Sequence, residues 1–76
     1  MKYNEREKER GDTMKNNKIR EYREKKGLTQ QELGERVGKS QIAISLYESG
    51  DRTPSVRIGQ LIAAALGTTM DNLFMS

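Results

Sequence analysis

The sequence predicts an all-α fold, and three observations carry that expectation. Aromatic residues make up only 5% of the chain, and no apolar/polar alternation bounded by turn residues suggests a strand. Apolar residues recur instead at helical spacing, in short segments separated by glycines. Cysteine and histidine are both absent, so neither disulfides nor the usual soft-metal clusters are available to hold the chain. A unit of about 60 residues buries only about 60% of its unfolded surface. Packing of short helices in a compact five-helix domain is the architecture left.

The elements follow in order. Residues 1–14 are read as a charged, solvated N-terminal tail, because MKYNEREKERGD offers nothing from which to build a core. The folding unit is assigned to residues 15–76. A first helix runs from Asn17 through Lys26, with Ile19, Tyr22 and Arg23 on one face and Gly27 as its stop. Thr29, with Glu32 three residues on, is a capping box that opens a second helix, QQELGERV; its inner face is Leu33, Gly34 and Val37, and Gly38 ends it. Ser40 caps a third helix that stops at Gly50. The turn DRTPS places Pro54 at or just before a fourth helix, whose expected inner stripe is Ile58, Leu61, Ile62, Ala65 and Leu66. After Gly67, Thr69 caps a short fifth helix, MDNLF, with Met70, Leu73 and Phe74 on one face.

Charge separates the third helix from the rest. A third of the residues are charged, and the net charge is +3. Residues 1–13 hold four basic and four acidic side chains, which leaves ten Lys or Arg against seven Asp or Glu in the folding unit. Yet in SQIAISLYESG the only ionised side chain is Glu48. At 100° per residue, Ala43, Ile44 and Tyr47 share one sector, and Gln41, Ile42, Ser45, Leu46 and Ser49 fill the other. The second sector suits a DNA major groove. Gln pairs with adenine, Ser meets base edges or phosphates, and aliphatic groups meet the thymine methyl. The three-residue link between the second and third helices fits a helix-turn-helix, and small Gly34 permits close packing there.

These residues resemble the lambda-repressor-like, Xre/Cro-C1-type helix-turn-helix family. The resemblance spans about Asn17 to Phe74 and rests on the order of its motifs. IREYREKKGLTQQELGERVG is followed by SQIAISLYESGDRTPS and then by LIAAALGTTMDNLF. It implies a sequence-specific DNA-binding protein, a transcriptional repressor or regulator, with residues 41–48 as the recognition helix. Base contacts are expected from Gln41, Ile42, Ser45 and Leu46, and phosphate contacts from Gln30, Lys39, Ser40 and Arg52. Arg23 and Glu48 match a partly buried structural ion pair. Gly34, Lys39 and Leu46 depart from the family pattern, where an alanine, an aliphatic and a polar or basic residue are usual. On helix propensity alone, Gly34 weakens the second helix by about 0.5–1 kcal/mol relative to alanine.

The expected partner is a double-stranded operator, palindromic if the protein dimerises; Met70, Leu73 and Phe74 either close the core or, where a domain this small has no room to bury them, form the candidate dimer patch. The competing reading is a protein-binding module, such as an antitoxin, that uses the Ile42/Leu46 face. No catalytic residue, metal or cofactor is expected, since Ser40, Ser45 and Ser49 have no candidate base and no Gly-rich phosphate loop is present. The longest apolar run, LIAAALG, is far too short to span a bilayer. The protein is accordingly expected in the cytoplasm, associated with the nucleoid when bound.

Overall fold

The computed structural model of the protein describes residues 17–74; the expected tail lies outside the described residues. Five helices follow one another: α1 (Ile19–Lys26), α2 (Gln30–Val37), α3 (Gln41–Ser49), α4 (Val56–Ala65) and α5 (Met70–Phe74). No strand occurs among the described residues.

The helix ends form where local chemistry directs them. Thr29 Oγ1 accepts from the Glu32 N–H (3.0 Å), and Glu32 Oε1 accepts from the Thr29 N–H (2.8 Å), completing the capping box of α2. Ser40 Oγ accepts from the Ala43 N–H (3.1 Å), and Ser55 Oγ caps α4 through the Ile58 N–H (3.2 Å). Pro54 precedes that cap and is buried. Gly38 ends α2 at φ 75°, a left-handed conformation that glycine adopts without a Cβ penalty.

Each helix contributes one side chain buried almost completely: Ile19, Leu33, Ile44, Ile62 and Leu73. Burial of an aliphatic of this size is worth about 1.5–3 kcal/mol. Val37, Ala43, Tyr47, Ala63, Leu66 and Phe74 complete the core. α2 packs against both α3 and α4, α1 against α3, and α5 against α4. Two hydrogen bonds fasten the start of α1 across the fold, from the Lys18 N–H to the Leu73 carbonyl (2.8 Å) and from Asn17 Nδ2 to the Tyr47 carbonyl (2.8 Å).

Two expectations need correction. The inner face of α4 is Gly59, Ile62, Ala63 and Leu66, with Ile58 and Ala65 at its margin, while Leu61 is exposed. The inner stripe is rotated because α5 lies close over Gly59, where a Cβ would come within 2.7 Å of the Met70 methyl. The α5 patch also differs, since Leu73 and Phe74 are core residues and Met70 is half-buried. Leu73 and Phe74 close the domain, and only part of Met70 is left at its exterior.

Candidate DNA-binding surface

The surface begins at the turn between α2 and α3. Gly34 sits where the chain passes close to itself: the Lys39 N–H donates to the Gly34 carbonyl (2.8 Å), and a Cβ at Gly34 would run into the Lys39 carbonyl oxygen. That approach sets α3 close against α2. It leaves Lys39, Ser40, Gln41, Ile42, Ser45 and Ser49 exposed on one side of α3, while Ala43, Ile44 and Tyr47 are buried on the other. Ile42 is 73% exposed.

Leu46 does not match Ile42. It is half-buried, and its carbonyl accepts from the Arg52 N–H (3.2 Å), so the turn after α3 folds back beside it. Ser49 is engaged there too: its Oγ lies 3.0 Å from the Leu46 carbonyl and 2.9 Å from Asp51 Oδ2, and it accepts from the Asp51 N–H (3.3 Å). Ser40 Oγ is used as an acceptor by its cap, which leaves the hydroxyl proton to donate outward.

The only ionised side chain of α3 points inward. Glu48 Oε2 accepts from Arg23 Nε (2.5 Å) and its Oε1 from Arg23 Nη2 (3.2 Å), with side chains only 11% (Arg23) and 6% (Glu48) exposed. Arg23 Nη1 donates to the Leu28 carbonyl (2.8 Å), which holds the link between α1 and α2. The hydrogen bond to Glu48 is the main cause that raises the Arg23 pKa above its ordinary value, and burial opposes it. With its acid neutralised inside the domain, the outer face of α3 is uncharged, and the cations Lys39 and Arg52 stand at its two ends.

The sequence-assigned residues Gln41, Ile42 and Ser45 are thus brought together on one exposed strip, flanked by Lys39 and Ser40 at one end and Arg52 at the other. Gln30 occupies the first position of α2 and is half-buried; its Nε2 donates to Glu48 Oε1 (3.1 Å). Sequence reasoning missed that bond. Eighteen positions separate the two residues, and no local pattern marks such a pair.

Residues 19–73 match the family model described as helix-turn-helix. Relatives named "uncharacterized HTH-type transcriptional regulator" include the following three. A protein of Archaeoglobus fulgidus is 38% identical over 58 residues, 76% of this chain and 83% of the relative. One of Methanothermobacter thermautotrophicus is 49% identical over 49 residues, 64% of this chain and 71% of the relative. YgzD of Bacillus subtilis is 34% identical over 58 residues, 76% of this chain and 88% of the relative. The chain belongs to the lambda-repressor-like, Xre/Cro-C1-type helix-turn-helix family.

Proposed function

We propose that the protein is a sequence-specific DNA-binding transcriptional regulator, acting as a repressor, with α3 in the major groove. The observation that carries this reading is the uncharged outer face of α3. An unpaired carboxylate there would meet the phosphate field of the duplex, and Glu48 is instead folded inward against Arg23. What remains outward is Gln41 for an adenine edge, Ile42 for a thymine methyl and Ser45 for either a base edge or a phosphate. Lys39, Ser40, Arg52 and Gln30 supply, in this reading, the backbone contacts that fix register without reading sequence. The names of the relatives support the same activity.

In-vitro selection from random duplex DNA tests this directly. One enriched motif is expected, with affinity falling steeply as salt rises from about 50 to about 200 mM, because each neutralised phosphate releases counterions. A dimer would yield a palindrome with half-site centres about 34–36 Å apart. Since Leu73 and Phe74 are buried, α5 brings only part of Met70 to such a contact. No enrichment, together with binding indifferent to salt, would overturn the proposal. The exposed Ile42 favours a second reading, a protein-binding face of the antitoxin kind. That face is narrower than the sequence suggests, because Leu46 is half-buried. Action on DNA would place the protein in the cytoplasm; among the described residues no helix is long and apolar enough to cross a membrane.

A further inference from the structure

Glu48 makes one contact that its ion pair does not require. Besides the two bonds from Arg23, its Oε1 accepts from Gln30 Nε2 at 3.1 Å. The carboxylate joins the last turn of α3 to the first residue of α2. An ionised carboxylate only accepts hydrogen bonds, so it holds the nitrogen end of the Gln30 amide and excludes the flipped orientation, which would set two oxygens against each other. Arg23 holds the acceptor in place, and through the Leu28 carbonyl it also fixes the chain just before the cap of α2.

We propose that Glu48 is a positioning residue for DNA binding. By holding one Nε2 proton of Gln30, it leaves the second as a donor of fixed direction for a backbone phosphate. The inference rests on the DNA reading above and extends it: an acid on the recognition helix sets the orientation of a phosphate contact made by the neighbouring helix. The base-reading and backbone-gripping elements are then tied through one side chain.

The test uses ¹⁵N NMR of the whole protein, titrated with the duplex recovered by selection. The expected result is a large shift of one Gln30 Nε2 proton on adding DNA, together with shifts of the Gln41 and Ser45 amides. A second arm replaces the pair by Arg23→Met with Glu48→Leu, since apolar replacement of a buried ion pair is often neutral or stabilising. This variant should bind the duplex about fivefold more weakly, the worth of roughly one hydrogen bond. Adding Gln30→Ala to it should cost no further affinity, although Gln30→Ala alone weakens the unmodified protein by a similar factor. A merely structural pair would instead give additive losses. Shifts in α3 with both Gln30 protons unmoved would overturn the positioning role and leave DNA binding intact. If no duplex moves the α3 amides, the DNA reading fails and the positioning role falls with it. If the double replacement does not fold, the titration of the unmodified protein decides alone.

Discussion

Gly34 stands at a close approach of the chain to itself, and its role differs from the one helix propensity suggests. Alanine would strengthen an isolated α2, but its methyl would collide with the Lys39 carbonyl oxygen, a backbone atom that moves only if the whole turn moves. Gly34→Ala is expected to lower stability by about 1–3 kcal/mol, the usual range for overpacking; a raised melting temperature would contradict the close approach. Arg23 and Lys39 make a sharper contrast. Arg23→Ala leaves Glu48 buried without its partner, at a cost of about 3–5 kcal/mol. Lys39→Ala removes an exposed side chain and should stay within about 0.5 kcal/mol. Thermal melts of the two variants check this, and equal shifts would mean that the pair does not hold the domain. The pH dependence has a definite sign. Because the folded-state pKa of Arg23 is raised, its stabilisation is complete below the ordinary guanidinium value and is lost only as pH climbs through the raised one. Melting curves between pH 6 and pH 9 should therefore show no loss traceable to this group.

At the scale of elements, what could be read from the sequence depended on how far apart the interacting groups lie. The caps at Thr29 and Ser40 were legible because a side chain three residues from its N–H partner leaves a local signature. The inner face of α4 was not fully legible. Its face includes Gly59 and Ala63, which carry little hydrophobic signal, whereas Leu61 fits a helical stripe and yet is exposed. The division of α3 into inner and outer sectors held for seven of the eight residues it assigned and failed in part at Leu46, whose half-burial depends on the path of the following turn. This difference can be measured. Ile42→Ala should leave stability within about 0.5 kcal/mol, because the side chain is mostly exposed, while relaxing the preference for thymine at one operator position. Leu46→Ala should cost measurable stability as well. If Ile42→Ala changes no base preference and instead releases a bound protein, the interaction reading gains what the DNA reading loses.

For the whole molecule, the fold class and the helix order follow from composition, glycine stops and caps, and the exposed strip on α3 follows from its wheel. The long-range polar network was beyond reach. Arg23, Leu28, Gln30 and Glu48 come from three helices and a connection, and only the packed domain brings them together. That network lets a domain with one acid on its recognition helix present an uncharged face to a polyanion. It also makes the domain's stability and its presentation to DNA depend on some of the same atoms. The central claim is that the outer face of α3 reads bases, and Gln41 tests it most directly. Selection from random duplex DNA, run in parallel with the unmodified protein and with Gln41→Ala, should return the same motif except at the base pair that Gln41 reads, where the preference is lost. An identical motif from both proteins would contradict the account.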